Sequence, residues 1–234
     1  SEKTPLLVVV HGGPTAQAVP TLSMNYAYFT TRGITVVDIN YGGSSGYGRH
    51  YRNLMRGAWG IVDREDVIAV VDSLISAGTV DANKILIRGG SAGGFTVLNV
   101  LVNSNHFAAG ASYYGVADCS ALALDTHDFE SRYLDSLIGK YPEDADLYVE
   151  RSPLTHAHRL SSPLIIFQGL DDKIVPPAQS EAFRDVCVNK GIKHEYHAFE
   201  GEGHGFRKAS SIITSMESEM KFYGEVLGFI PENG

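Results

Sequence analysis

The sequence predicts a doubly wound α/β domain, in which helices cover both faces of a mostly parallel β-sheet. Short apolar segments bounded by turn residues alternate along the chain with longer segments of helical periodicity. Most of the short segments are apolar at consecutive positions, which is typical of strands that are buried on both faces. No linker or shift in composition divides the chain, so we expect residues 1–234 to form one domain.

The predicted elements follow one another in a regular order. Segment 64–78 places its apolar side chains on one helical face and ends at Gly78, a residue type that commonly terminates helices. Segment 124–153 is longer than a simple crossover, and we expect a helical excursion over the carboxyl edge of the sheet, where ligands of open α/β sheets bind. The predicted strands are 5–11, 34–40, 85–89, 108–115, 163–169 and 193–199, and the other predicted helices are 92–104, 178–191 and 210–229.

Charge and composition argue against several classes of protein. A net charge of −8 and an isoelectric point near 5.5 disfavour a nucleic-acid partner, since phosphates attract basic surfaces. No stretch approaches the roughly 20 apolar residues that span a bilayer, and the opening SEKTPLLVVV is interpreted as a buried strand, not a signal peptide. The two cysteines, Cys119 and Cys187, require no disulfide, which favours a reducing, cytoplasmic location.

A single serine stands among four glycines in the segment IRGGSAGGFT, residues 87–96. Ser91 lies in a G-x-S-x-G pattern that follows a predicted strand and opens a predicted helix. In an α/β-hydrolase this arrangement exposes a nucleophilic hydroxyl on a strained turn at a helix N-terminus. The alternative is an ordinary strand-to-helix turn. The placement of strand and helix favours the nucleophile.

A serine hydroxyl needs a base, and the base needs an orienting acid. This fold supplies them in the order serine, acid, histidine, each on a loop after a strand. His204 follows the last predicted strand and is flanked by glycines, so it is the predicted base. Asp171 and Asp172 follow the preceding strand, and Asp118 follows another. Position in the sequence does not choose among these three carboxylates.

Backbone N–H groups are expected to stabilise the developing oxyanion. One is the N–H of Ala92, directly after the predicted nucleophile. The second comes from HGGP, residues 11–14, which follows the first strand. Pro14 has no N–H, so Gly12 or Gly13 is the candidate.

The glycine-rich segment NYGGSSGYGR, residues 40–49, lacks the Gly-Lys-Ser/Thr ending of a phosphate-binding P-loop. We therefore expect it to line the substrate pocket, with Tyr41 and Tyr47 as walls. Trp59, the only tryptophan, is assigned to core or hinge packing and not to substrate contact.

Five ordered segments together resemble the catalytic domain of the prolyl oligopeptidase family of serine peptidases. They are HGGP, NYGGSSGYGR, GGSAGGF, Asp172-x-x-Val175-Pro176 and GEGHGF, and they extend from residue 11 to residue 206. The branch resembled is that of acylaminoacyl-peptidases and bacterial dipeptidyl or aminopeptidases. The resemblance implies that the acid is Asp172, the aspartate three residues before the valine. The stretch around YYGVADC is similar to puromycin-hydrolysing aminopeptidases.

The resemblance also implies parts beyond this chain. Family members carry an N-terminal β-propeller that screens substrates by size, and two further strands before HGGP. We therefore expect the chain to be a segment of a longer protein, with an unpaired sheet edge. A homo-oligomer that pairs through a strand edge or the last helix is a further expectation.

The expected activity is hydrolysis of peptide or aminoacyl-amide bonds in short peptides through an acyl-enzyme, without a metal or organic cofactor. The alternatives are a carboxylesterase or lipase-like hydrolase, because the same triad cleaves esters, and a non-catalytic binding module. Glu130 or Asp128 is a candidate for binding a free amino terminus, and Arg132 for binding a carboxylate or carbonyl. A salt-bridged helical surface explains these three charges equally well.

Overall fold

The computed structural model describes residues 3–125 and 133–229. Its centre is one six-stranded sheet in the order β2-β1-β3-β4-β5-β6, in which every neighbouring pair is parallel. This confirms the predicted doubly wound architecture. The strands are β1 (Leu6–Val10), β2 (Thr35–Ile39), β3 (Ile85–Gly90), β4 (Ala109–Tyr113), β5 (Leu164–Gly169) and β6 (His194–Phe199).

The strand order reverses between β1 and β3, and this reversal places the site. The chain passes from β1 outward to β2 and then returns to the other side of β1 as β3. The connections that leave β1 and β3 therefore diverge at the carboxyl edge and open a crevice there. The strand pairing places the carboxyl ends of β1, β3 and β4 side by side, because Val10 of β1 pairs with Gly89 of β3, and Gly90 of β3 pairs with Tyr113 of β4.

Helices cover both faces of the sheet. The face packed by α3, α4 and α8 carries the larger apolar cluster, and α4 is buried along almost its whole length. The opposite face is covered by α1 and α9, whose Phe29, Phe222 and Tyr223 are fully buried. The helices are α1 (Met24–Thr30), α2 (Gly48–Asn53), α3 (Val62–Ser76), α4 (Ala92–Asn103), α5 (Cys119–Asp125), α6 (Tyr133–Leu137), α7 (Ala145–Arg151), α8 (Pro177–Lys190) and α9 (Ala209–Leu227), with a 3₁₀ helix at Pro153–Arg159.

All six strands and the four long helices agree with the sequence prediction. The short helices α1 and α2 were not predicted, because each spans only about two turns and neither repeats an apolar stripe. The N-terminus of α1 is capped by Ser23, whose hydroxyl accepts a hydrogen bond from the N–H of Tyr26. Within the described residues, none of the helices has both the length and the apolar character that crossing a bilayer requires.

Candidate active site

Ser91 occupies a strained turn between β3 and α4. Its φ of 58° and ψ of −122° lie in a region that residues with a side chain rarely adopt, at a cost of about 1–3 kcal/mol. The surrounding structure holds this conformation, since the Ser91 N–H donates to the Tyr113 carbonyl at 2.9 Å and the Ser91 carbonyl accepts from Phe95. The turn therefore projects the hydroxyl away from the sheet and into the crevice.

The glycines around Ser91 are required by close backbone contacts. A Cβ atom on Gly89 would lie 2.5 Å from the Gly93 carbonyl oxygen, and one on Gly93 would lie 2.2 Å from the Val10 carbonyl oxygen. One on Gly94 would lie 2.6 Å from the Cα of Gly115. The start of α4 is thus pressed directly against the ends of β1 and β4, and only glycine fits there.

His204 joins the serine to a carboxylate. Its Nε2 lies 2.8 Å from Ser91 Oγ, and its Nδ1 lies 2.8 Å from Asp172 Oδ2. An ionised carboxylate only accepts hydrogen bonds, so Nδ1 carries the proton and Nε2 is left to accept from the serine hydroxyl. The loop that carries His204 is anchored by the buried Glu202, whose carboxylate accepts the backbone N–H groups of Arg207 and Lys208.

The structure distinguishes the three candidate acids. Asp172 contacts His204, and its other oxygen accepts the N–H groups of Ile174 and Val175, each at 2.9 Å. Asp171 is exposed, and Asp118 accepts N–H groups at the start of α5.

The environment of Asp172 favours its ionised form. Burial alone would raise the pKa of this carboxyl, but the hydrogen bond with His204 and the two backbone donors more than offset it. The net effect holds the pKa of Asp172 below its usual range, so the group is a carboxylate at neutral pH.

The expected oxyanion donors lie beside the serine. The N–H of Ala92 is in the first turn of α4 and has no carbonyl partner within the helix. Gly13 and Ala92 line the same cavity as Ser91. The Gly12 backbone passes so close that a Cβ atom there would lie 2.9 Å from the Gly90 oxygen.

Tyr41 fixes this loop from below. It is 1% exposed, and its hydroxyl donates to the carbonyls of His11 and Pro14 at 3.0 and 3.1 Å. The imidazole of His11 stacks on the Tyr41 ring at 4.3 Å and lies within hydrogen-bond distance of Ser44. The prediction that Tyr41 lines the pocket is therefore corrected, because its ring supports the loop and does not face the cavity.

Tyr47 also lies outside the catalytic cavity. Its side chain is 57% exposed, and its hydroxyl accepts a hydrogen bond from the Asn40 amide. The turn geometry of the glycine-rich segment directs Tyr47 outward, where it packs beside Tyr51. The expected role of Tyr47 as a pocket wall is corrected in the same way. The candidates Asp128, Glu130 and Arg132 lie outside the described residues.

An apolar cavity of about 230 Å³ adjoins the Ser91 hydroxyl. Trp59 forms part of it, although sequence reasoning had assigned this side chain to the core. Both descriptions apply, since Trp59 is 2% exposed and packs against Phe95 with the ring planes tilted by 36°, and it also lines the cavity. The rest of the apolar lining comes from loops and helices far apart in sequence, namely Val116, Leu122, Tyr133, Leu134, Leu137, Ile174 and Val175.

Tyr114 packs against His204 and is not among the residues that line the catalytic cavity. Its ring centroid lies 4.8 Å from that of the imidazole, and its edge meets Phe206. Tyr114 also has a positive φ of 39°, a conformation rare for an aromatic residue. Gly90 makes room for the ring, because a Cβ atom there would lie 3.1 Å from it. Sequence reasoning missed Tyr114, since nothing in a strand-terminal tyrosine signals contact with a residue ninety positions away.

Comparison with known proteins extends the geometric evidence. Residues 20–229 match the model of the prolyl oligopeptidase family, peptidase S9. A solved puromycin-hydrolyzing peptidase of Mycobacterium tuberculosis is 48% identical with a TM-score of 0.97, covering 100% of this chain and 36% of that one. The acylaminoacyl peptidase of Pyrococcus horikoshii is 25% identical with a TM-score of 0.90, covering 100% and 38%.

Curated relatives agree. The dipeptidyl aminopeptidase BIII of Pseudoxanthomonas mexicana is 31% identical over 210 residues, which is 87% of this chain and 30% of the relative. The chain thus spans about a third of the length of these three proteins. The family model matches most of the chain, and the serine, the carboxylate and the histidine follow one another in the order of that family. We conclude that this chain belongs to the prolyl oligopeptidase family.

Proposed function

We propose that this chain is the catalytic domain of a serine peptidase that cleaves peptide or aminoacyl-amide bonds of short peptides. The observation that supports this most strongly is the continuous hydrogen-bonded series Ser91–His204–Asp172, with both contacts at 2.8 Å. This spacing lets one proton move from Oγ to Nε2 without rearrangement of the histidine.

The proposed reaction proceeds through an acyl-enzyme. Ser91 Oγ bonds to the substrate carbonyl carbon as His204 Nε2 takes the hydroxyl proton, and the N–H groups of Ala92 and Gly12 or Gly13 stabilise the oxyanion. The C–N bond then breaks, and His204 returns the proton to the leaving amine. Water then attacks the acyl carbon as His204 Nε2 takes one of its protons. The bond between the acyl carbon and Oγ breaks, the acid is released, and His204 returns the proton to Ser91 Oγ. The Asp172 carboxylate stabilises the His204 imidazolium that forms in each half of the reaction.

The cavity beside Ser91 supports a preference in the acyl portion of the substrate. Its lining among the described residues carries no charged side chain apart from the ionisable His204. Burying an unpaired charge in such a cavity is costly, whereas an apolar side chain gains free energy by leaving water. We therefore expect an apolar or aromatic residue on the acyl side of the cleaved bond.

The test compares matched amides and esters. Aminoacyl and dipeptidyl anilides that carry Phe, Leu, Asp or Lys before the cleaved bond are assayed beside simple acyl esters, with Ser91→Ala as the blank. We expect anilides with Phe or Leu to be cleaved with the highest kcat/KM. Turnover of esters with no cleavage of any anilide would contradict the proposal and favour a carboxylesterase, the alternative that uses the same three residues.

We also propose a further domain, a location and an assembly for the whole protein. An N-terminal β-propeller is supported by the fraction of each relative that the chain spans. A cytoplasmic location is supported by Cys119 and Cys187, which are both buried and unpaired. Pairing into a homo-oligomer is supported by the strand edges of β2 and β6, the two outermost strands of the described sheet.

A further inference from the structure

Three arginines lie together next to the catalytic cavity. Arg49 and Arg52 belong to α2, and Arg56 lies in the turn that follows it. Spacings of three and four residues place side chains on one side of a helical segment. All three are exposed, while Met55 between them is buried and anchors the segment. We call these three residues the arginine cluster.

The arginine cluster lines a depression of about 300 Å³ that adjoins the catalytic cavity. Tyr133 and Leu137 line both spaces, so one wall separates them. The hydroxyls of Thr15 and Tyr133 lie 2.9 Å apart across this wall, and Thr15 directly follows the HGGP loop. A peptide bound at Ser91 can therefore extend a neighbouring residue over this wall into the depression.

The cluster is electrostatically unusual for this protein. The chain carries a net charge of −8, yet none of the three guanidinium groups forms an ion pair or a side-chain hydrogen bond with another residue in the part of the chain that the structure describes. Like charges one turn apart also repel and destabilise a helix. Three arginines that face one depression, with no ionic partner among residues 3–125 and 133–229, make a region of positive potential suited to an anion.

We infer that the arginine cluster binds a carboxylate of the peptide substrate, a specificity site that rests on the proposed peptidase function. The planar guanidinium presents paired N–H donors that match the two oxygens of a carboxylate. The carboxylate comes either from the free C-terminus of a short peptide or from an acidic side chain near the cleaved bond. Both sources carry the same chemistry, and the substrate set below separates them.

The experiment uses the full-length protein and three peptides that share the residues around the cleaved bond. The first has a free C-terminal carboxylate, the second a C-terminal amide, and the third is the amide with one Gln replaced by Glu. Arg49→Gln, Arg52→Gln, Arg56→Gln and the triple variant are assayed, with Arg52→Lys as the charge-conserving variant. Arg159→Gln is the control. Arg159 is exposed and lies just before β5, at the amino edge of the sheet and not at the carboxyl edge that carries Ser91.

The measured quantity is the ratio of kcat/KM for each carboxylate-bearing peptide to that for the neutral amide. We expect each single Gln variant to lower this ratio by about two- to five-fold, as for other solvent-exposed charge pairs. The triple variant should lower it further, added salt should lower it in the native protein, and Arg52→Lys should retain part of it. Arg159→Gln should leave the ratio unchanged.

The peptide that shows the effect identifies the source of the carboxylate. An unchanged ratio in the triple variant would overturn the inference and would favour an acidic protein partner for this surface. Equal losses for all three peptides would overturn it as well. Cleavage of the neutral amide by the native protein tests the peptidase function separately, so the two failures are distinguishable.

Discussion

Replacing Gly93 by alanine tests the close packing that positions the nucleophile. In an exposed helix this change would stabilise the protein by about 1 kcal/mol, because alanine has the higher helix propensity. Here the new Cβ would lie 2.2 Å from the Val10 carbonyl oxygen and 2.9 Å from that of His11. Real Cβ atoms essentially never approach closer than 3.0 Å, so the end of β1 and the start of α4 must separate by about 0.8 Å.

The magnitude follows from that displacement. Overpacking against rigid backbone costs about 3 kcal/mol at the upper end, which leaves a net destabilisation of about 2 kcal/mol after the helix-propensity gain. The displaced segment leads directly into Gly12 and Gly13, one of which is the proposed second oxyanion donor. A misplacement of about 1 Å costs on the order of 100-fold in rate. We expect Gly93→Ala to lose stability in urea unfolding and about 100-fold in kcat with an anilide substrate.

A matched control comes from the other catalytic loop. Gly203 precedes His204, yet a Cβ atom there would have its nearest neighbour at 3.8 Å, the Asp171 carbonyl oxygen. We expect Gly203→Ala to remain within about 0.5 kcal/mol of the native stability and to keep most of its activity. A Gly93→Ala protein with native stability and native kcat, or one less impaired than Gly203→Ala, would refute the packing argument.

Asp172, Tyr114 and the buried Asp63 each have contacts whose loss we expect to be measurable. Asp172→Asn should lower kcat by about 10³–10⁴-fold while the exposed Asp171→Asn stays near normal, and the opposite result would assign the acid to Asp171. Tyr114→Leu removes the ring beside His204 and should lower kcat by about 10- to 100-fold with little change in KM. Tyr114→Phe keeps the ring and should leave kcat near the native value. Equal losses of kcat in the two variants would exclude the packing role. Burial raises the pKa of Asp63, so its contribution to stability falls as the pH rises above the usual aspartate value of about 3.9. Urea unfolding should therefore show the free energy of unfolding of Asp63→Asn rising relative to that of the native protein as the pH increases above about 4, and parallel pH profiles for the two proteins would contradict this.

The sequence was sufficient to predict the sheet and to single out Ser91 and His204, for a physical reason. Strands that are buried on both faces have continuous apolar runs. Ser91 and His204 each lie between glycines that are close in the sequence, so both turns can be recognised from neighbouring residues alone. The choice of acid was not local. It depends on which carboxylate the β5 loop turns toward the histidine, and the residues alone left three candidates.

The supporting residues could not be predicted because they act through tertiary contacts. Tyr41 looked like a pocket wall but is buried below the HGGP loop, and Trp59 looked like core but also faces the cavity. Tyr114 meets His204 only after β4 and β6 have joined the same sheet. Patterns of residue type give the face on which a side chain lies, whereas such partners are set by the packing of loops distant in sequence.

In the proposed mechanism, His204 activates Ser91 as a nucleophile. The most direct measurement is the rate of covalent labelling by a fluorophosphonate, with the adduct located by mass spectrometry of proteolytic peptides, in the native protein and in His204→Ala. We predict one rapid adduct on Ser91, and labelling slowed by several orders of magnitude without the histidine. An adduct on another residue, or equal labelling of Ser91 in both proteins, would contradict the mechanism.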